Sequence, residues 1–472
     1  MEVQIISQVI IKPSSPTPSH LKNFKLSVLD QLIPAPYAPI VLFYPNYNGA
    51  SYTQAHKRVE KLKESLSKTL TLFYPLAGTI KDDLCIECND KGAYLATTKV
   101  DCQLFQFLNK PDLQLISKFL PCDLGFNGSL AGTRVTNVQV NLFECGGIAI
   151  GICISHKILD GAALKTFLRS WSAGTATETE EIPGPNFNAS SLFPANDSWL
   201  KDSAMAMWGS TFKAGRSVTK RFIFDAAAIS TLKAMSTKTG ARCPTRVEAI
   251  SAFLWKCTMV ASEANSGFKK SSMLTHVVNL RRRAAPTLSE HTMGNLIWIS
   301  SSKCLANQDR ELPALADEIQ HSISRINGEY VKKLQNGHEG SALMRKSMKE
   351  VGDFGSKEEG AVDYLGFSSW CGFGFYEVDF GWGKPVWVSC VAVDAPVFMN
   401  LIILMETRNG AGIEAWVTLD QQEMDRILQH DQELKVLVSL DPSPLDMGNI
   451  APVICPPARH TIEKNKKEEL IL

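Results

Sequence analysis

An α/β architecture in two halves is what this chain predicts, and three observations predict it. Strand-like apolar runs and helix-like periodic segments interleave along the chain, the grammar of layered sheets and helices rather than of a bundle or a sandwich. A length of 472 residues suits roughly two to three domains and buries several large cores without staples. From Gly174 to Ser198 the sequence GTATETEEIPGPNFNASSLFPANDS shows no apolar periodicity, and a loop of that length is unusual inside one compact domain. It reads as a crossover between domains, with a surface insertion in a single domain as the other reading. The expected layout is a first domain at 1–173, a linker at 174–210 and a second domain at 211–442.

The first apolar run, within MEVQIISQVI, reads as a strand leading into a Pro-rich loop at Lys12–Pro18. Glu2 and the lack of a basic opening make it a poor signal peptide. Gln54–Thr71 reads as an amphipathic helix, because Val59, Leu62, Leu66 and Leu70 recur at helical spacing. Short strands are expected at Leu72–Leu76, Leu84–Glu87 and Ala93–Thr97, with turns at Gly78, Asp82–Asp83 and Asn89–Gly92 between them. Arg134–Phe143 alternates, with Val138, Val140 and Leu142 on one face and Asn137, Gln139 and Asn141 on the other. Gly147–Ser155 is nearly all apolar, as a strand covered on both faces should be. A helix is expected next, at Ala162–Trp171.

The second half repeats the pattern. Ser217–Phe224 is strand-like and Ala226–Thr237 helical. Thr245 with Glu248 three residues on is a capping box that opens a helix at Val247–Val260. Strands are expected at His276–Leu280, Leu296–Ser301, Val386–Val393, Met399–Met405 and Gly412–Leu419, and a last helix at Gln421–Val438.

Charge and composition exclude several classes. With 49 Lys+Arg against 48 Asp+Glu, the chain lacks the positive excess of a dedicated nucleic-acid binder or a polybasic membrane anchor. Its longest apolar stretches, Gly146–Ile154 and Val397–Met405, fall far short of the roughly 20 residues of a spanning helix. The 12 cysteines are scattered, and only Cys85 and Cys88 lie close; they read as reduced thiols of a cytoplasmic protein rather than a zinc site or a disulfide framework.

The sharpest local feature is Ser155-His156-Lys157-Ile158-Leu159-Asp160-Gly161. His156 falls where a buried strand ends, a place where the backbone is fixed and the side chain emerges into a crevice. Histidine also has the unperturbed pKa that suits proton transfer near neutral pH. By spacing alone a hydrogen-bonded structural histidine is the commoner reading. The second feature is Asp379-Phe380-Gly381-Trp382-Gly383, closed by Pro385, which reads as a tight loop in which Asp379 bonds local amides or an arginine. Asp379-Phe380-Gly381 and Asp353-Phe354-Gly355 both spell a kinase triplet, but no HRD loop or strand lysine motif accompanies them, and no G-x-S-x-G is present. A metal site on His156 and Asp160 lacks further nearby ligands.

Together, H-x-x-x-D-G at His156–Gly161 and D-F-G-W-G at Asp379–Gly383, in that order and spacing, resemble the BAHD family of plant acyl-CoA-dependent acyltransferases. Leu26–Asp30, Phe73–Gly78, Val278–Arg283 with Met293–Asn295, and Gly412–Val417 also fit the family, so the likeness runs from about Ile10 to Val438. Within the family it leans toward the vinorine synthase-like branch of acetyltransferases of specialised metabolism. The likeness fades after Val438, and Ser443–Leu472 is expected to be a flexible tail.

The resemblance implies two chloramphenicol-acetyltransferase-like domains with mixed sheets, meeting at an active-site channel. His156 would serve there as general base for acyl transfer from acyl-CoA, acetyl-CoA above all, to an alcohol or amine, with no resident cofactor, metal, nucleic acid or membrane, in a cytoplasmic monomer. Asp160 keeps two readings: it orients His156, or it turns away and pairs with Arg281, which the resemblance favours. Ser368 and Trp370 match a triplet that in relatives offers donors near the oxyanion, with Trp370 as plain channel wall the alternative. Gly372 stands where hydroxycinnamoyl-transferring relatives have a basic residue, which puts shikimate and quinate acceptors in doubt. Asp379, Gly381, Trp382 and Gly383 would be structural. Thr245 and Arg246, at a helix N-terminus, are a candidate seat for the phosphates of CoA, an ordinary capped helix being the alternative. Thr79 and Asn279 depart from the family pattern, away from the proposed chemistry. A condensation-type domain would carry a second histidine where Ser155 stands, and a non-catalytic paralogue would be expected to have lost His156.

Overall fold

The computed structural model describes residues 1–33, 37–47, 49, 52–122, 132–175, 184–195, 199–355, 362–392 and 395–446. Its main strands, in chain order, are β1 (Val3–Ile11), β2 (Tyr37–Tyr44), β3 (Ala93–Val100), β4 (Thr136–Phe143), β5 (Ile148–Ser155), β6 (Ser217–Phe224), β7 (Ser271–Asn279), β8 (Ile297–Cys304), β9 (Val362–Ser369), β10 (Trp387–Ser389), β11 (Leu401–Glu406), β12 (Ile413–Asp420) and β13 (Ser439–Leu440). They form a six-stranded sheet in the order β1-β3-β4-β5-β2-β10 and a seven-stranded sheet in the order β8-β7-β9-β11-β12-β6-β13. Both sheets are mixed: β3 and β4 run parallel in the first, and β7, β9 and β11 run parallel in the second. This is the α/β class that the alternating pattern predicts.

Four helices position the site: α1 (Val28–Gln31), α2 (Tyr52–Leu72), α3 (Gly161–Ala173) and α4 (Arg246–Ser266). In α2 the predicted stripe of Val59, Leu62, Leu66 and Leu70 is buried against the first sheet's core. All eight residues of β5 are buried, as its unbroken apolar run requires. The polar face of β4 turns inward too, and its groups are satisfied there: Asn141 Nδ2 donates to the carbonyls of Phe119 and Ala149 at 3.0 and 3.1 Å. A second core surrounds α4, and a third joins Leu29 of α1 to Leu280 and Trp298 of the second half.

Four local expectations need correction. Leu72–Leu76 is not a strand: Leu72 ends α2, and Pro75 sits in a short 3₁₀ turn at Tyr74–Ala77, where proline's missing N–H costs nothing. Of Val386–Val393, Val393 lies outside the described residues; among the described ones the strand is Trp387–Ser389, and it joins the first sheet beside β2 rather than the second. The Met399–Met405 run splits at Asn400, whose side chain bonds Glu423; Val397–Met399 pairs with Phe212–Ala214 while β11 joins the second sheet. The last helix is two, Gln421–His430 and Gln432–Leu437, because Asp431 leaves helical angles and caps the second by accepting from the Leu434 amide.

Helices at Ala189–Leu192 and Trp199–Gly209 stand within the stretch expected to be linker. The helices Leu312–Ser324, Gly328–Gln335 and Gly337–Gly355 cover part of the second sheet without having been foreseen. Of the expected tail, Ser443–Asp446 is described, and Ser443 is buried with its hydroxyl donating to the Leu108 carbonyl; residues 447–472 lie outside the described residues. Among the described residues every cysteine is a free thiol.

Candidate active site

His156 follows directly on Ser155, the last residue of β5. Its backbone is therefore fixed by a strand paired on both sides, with β2 and β4. Its ring is bonded through Nδ1 to Oδ1 of Asn295, 2.9 Å away. Asn295 is fully buried, and its Nδ2 donates to the His156 carbonyl at 2.7 Å and to Oδ1 of Asp30 at 2.9 Å. Two acceptors around Nδ2 leave the amide oxygen as the group facing the ring. That oxygen only accepts, so Nδ1 carries a proton, and in the neutral ring Nε2 is the nitrogen with the lone pair.

Asp160 turns away from this histidine. It caps α3, taking the Ala163 amide on Oδ1 at 2.9 Å. The same carboxylate takes the Leu296 amide at 3.1 Å and both terminal nitrogens of Arg281, at 2.6 and 3.1 Å. Arg281 is fully buried and also donates to the carbonyls of Thr292 and Gly294. The pair thus pins the turn Thr292–Asn295 of the second half to the start of α3, and Asn295 in that turn reaches His156. Asn295 and Asp30 were within the motifs that carry the family resemblance, but nothing in their spacing marked them as partners of the histidine.

The second sheet presents the other candidates at one edge. β7, β9 and β11 run parallel, so their C-terminal ends lie together, the usual location of ligand sites in open α/β sheets. Arg281 follows β7; Ser368 is the penultimate residue of β9 and Trp370 follows it; Glu406 ends β11. Trp370 is tied by its amide to the Leu404 carbonyl at 2.7 Å and packs edge-on against Phe375. The loop after it reaches α3, the helix that Asp160 caps: a Cβ added to Gly161 would lie 2.3 Å from the Phe373 ring. Thr245 and Arg246 open α4 at this same edge. The capping box is formed, with Thr245 Oγ accepting the Glu248 amide. The Arg246 guanidinium already meets the Gly410 carbonyl at 2.7 Å and Glu406 at 3.4 Å.

The loop Asp379–Gly383 lies elsewhere. Asp379 Oδ1 accepts from the amides of Gly381 and Gly383, at 2.8 and 2.9 Å, and both glycines need the positive φ that closes so tight a turn. Trp382 stacks on Phe380, meets Tyr44 and lies under the Arg58 guanidinium. Tyr44 pairs with Ile148, at the opposite end of β5 from Ser155; at about 3.3 Å per residue that end is over 20 Å from His156.

The Transferase family profile matches residues 1–434. The chain is 44% identical to limonoid 7-O-acetyltransferase of Citrus sinensis over 464 residues, covering 94% of this chain and all of that one. It is 36% identical to stemmadenine O-acetyltransferase of Catharanthus roseus, covering 90% of this chain and 96% of that one. Among solved structures it is similar to vinorine synthase, with a TM-score of 0.77 at 33% identity, over 93% of this chain and 99% of that one. The fold and these relatives define the class as acyl-CoA-dependent O-acyltransferases. The chain belongs to the Transferase family, the BAHD acyltransferases. Among the described residues no helix is long and apolar enough to cross a membrane.

Proposed function

We propose that this enzyme transfers an acyl group, acetyl foremost, from acyl-CoA to a hydroxyl of a plant specialised metabolite such as a limonoid or alkaloid alcohol, with His156 as general base. The observation that carries the reading is the Asn295 contact on Nδ1, which in the neutral ring leaves the lone pair on Nε2, at the end of a buried strand. Nε2 takes the acceptor's hydroxyl proton as its oxygen bonds to the thioester carbon. The tetrahedral oxyanion then collapses, the C–S bond breaks, and the CoA thiolate leaves and recovers the proton from the imidazolium. The products are an ester and free CoA, and no acyl-enzyme forms.

Asp160 and Arg281 hold the shape of this site and take no part in the proton transfer. Ser368 and Trp370 are our candidates for oxyanion donors, supported by their place at the same sheet edge. The amides and dipole of the α4 N-terminus at Thr245–Arg246 suit a CoA phosphate, although Glu406 already occupies part of the guanidinium. The similarity to limonoid and stemmadenine acetyltransferases favours acetyl-CoA as co-substrate and oxygenated polycyclic acceptors. We take the enzyme to act as a monomer in the cytoplasm.

The test follows free thiol with acetyl-CoA and a panel of limonoid, alkaloid and phenolic alcohols. His156→Ala should lose at least about 100-fold in kcat. A variant that keeps more than about a tenth of the wild-type rate removes the base assignment.

A further inference from the structure

We propose that Asp30 is a positioning residue for acyl transfer: by holding the Asn295 carboxamide in one orientation, it dictates which nitrogen of His156 is free to accept a proton. This rests on the reading of His156 as general base.

Asp30 is 265 positions from Asn295 in sequence, yet its Oδ1 takes both the Asn295 backbone amide, at 2.6 Å, and the side-chain Nδ2, at 2.9 Å. Its Oδ2 takes the Ser27 amide and hydroxyl at 2.8 and 2.6 Å. The carboxylate is buried, and all four of these donors are neutral. Burial accordingly pushes its pKa up from the ordinary value, against the opposing hydrogen bonds. Burying a charge without a cation is expensive. The visible local return is one capping box on α1, a helix of four residues, and such a cap contributes only about 1 kcal/mol. Asp30 fills the N3 place of that box, which a neutral amide side chain can also fill. What the carboxylate adds is a pure acceptor on the far side of Asn295.

The consequence follows from donor and acceptor counting. If the Asn295 amide flipped, its oxygen would face Asp30 Oδ1 and the His156 carbonyl at the distances now spanned by Nδ2, 2.9 and 2.7 Å. Two acceptor–acceptor contacts at that range forbid the flip. The flipped amide would donate to Nδ1, put the imidazole proton on Nε2 and leave the ring unable to act as base. Gly294, at φ +120°, brings the turn this close; a Cβ there would lie 3.4 Å from both Asp30 oxygens and 3.1 Å from the Ala189 Cβ. Asparagine at position 30 can offer a donor to the flipped oxygen, so it removes one of the two clashes while nearly preserving shape, and leaves the His156 carbonyl alone to oppose the flip.

The experiment reads the tautomer directly, by ¹⁵N NMR of histidine-labelled protein, alongside kcat and KM for acetyl-CoA. Wild type should carry the His156 proton on Nδ1; a ring protonated on Nε2 overturns the proposal without any variant. Asp30→Asn should move the ring toward the Nε2–H form and lower kcat by about tenfold or more, with KM changed less than about threefold. In an Asn295→Ala background the same change should alter kcat by less than about twofold, since its route is already cut. A loss of equal size in both backgrounds means Asp30 acts only on the fold and overturns the proposal. Ser27→Ala, a milder change that weakens the same carboxylate's anchorage, should give a smaller kcat loss that likewise vanishes with Asn295→Ala, and a loss that persists there counts against it. If His156→Ala proves active, the base reading fails, whereas the tautomer shift on Asp30→Asn still reports on the positioning.

Discussion

Asp160→Ala separates structure from chemistry at this site. The substitution strands Arg281, which is fully buried and receives both its carboxylate contacts from Asp160. Removing one partner of a buried ion pair costs about 3–5 kcal/mol, because the other charge stays desolvated. Asp160 is also the N-cap of α3, and losing a capping side chain adds about 1 kcal/mol. The total is about 4–6 kcal/mol. For a unit of 150–250 residues each kcal/mol moves the melting temperature by about 2–4 °C, so a fall on the order of 10–20 °C is expected. Circular dichroism melts of purified wild type and variant measure it, with soluble yield as a companion readout. Asp160→Asn keeps the shape but not the charge and should fall nearly as far. Asp160→Leu with Arg281→Met should recover part of the loss, since no charge then remains buried. The reasoning is refuted by an Asp160→Ala protein that melts within about 2 °C of wild type yet turns over more than 100-fold more slowly. That result would make Asp160 a direct participant in catalysis.

Two further outcomes are expected. His276 is buried against Phe367, with Nε2 bonded to Ser251 at 2.9 Å, and burial lowers its pKa to about 3. The folded state keeps this ring neutral while the unfolded ring protonates below about 6.5, so its contribution is full above that pH and is lost as pH falls toward 3, by up to about 1.4 kcal/mol per unit. His276→Gln should flatten the urea-midpoint profile between pH 6.5 and 4.5, and an unchanged slope contradicts the assignment. Gly161→Ala should push Phe373 aside and cost about 1–3 kcal/mol through overpacking; adding Phe373→Ala should return much of it, as seen by thermal melts, whereas simple addition of the two losses would show that the ring is not the obstacle.

Sequence made the class of the site visible because the proposed base follows the most regular element. A nearly unbroken apolar run of eight residues bounded by turn signals suits a strand covered on both faces, and the histidine at its end inherits a fixed backbone. The family motifs added Asp160 with Arg281, which the structure shows bonded. The other half of the arrangement was hidden. Asn295 is a single polar residue in a turn and Asp30 one in the four-residue helix α1, and the chain of contacts from Asp30 through Asn295 to His156 depends on how the two halves dock rather than on any local period. The same holds for Val386–Val393 and Met399–Met405. Apolar composition marked them as strands, but which sheet each joins is decided by tertiary pairing. At Leu72–Leu76 the pattern is ambiguous, because apolar residues leading to a proline suit a strand end and a helix exit equally well.

The three residues of β10 carry a consequence for how the protein comes into being. Trp387–Ser389 completes the edge of the first sheet from far downstream, and Trp387 also hydrogen-bonds Glu414 and stacks on Trp416 of the second. A nascent chain that has already exposed β5 must wait for about 230 more residues before this edge strand arrives, some ten to fifty seconds at ordinary rates of synthesis. During that interval the flank of β2, with Val41, Leu42 and Phe43, is an unpaired template of the kind to which other chains add. The halves are therefore not interchangeable cassettes: truncation before residue 387 leaves the first sheet open, and exchange of the second half between relatives replaces a strand of the first.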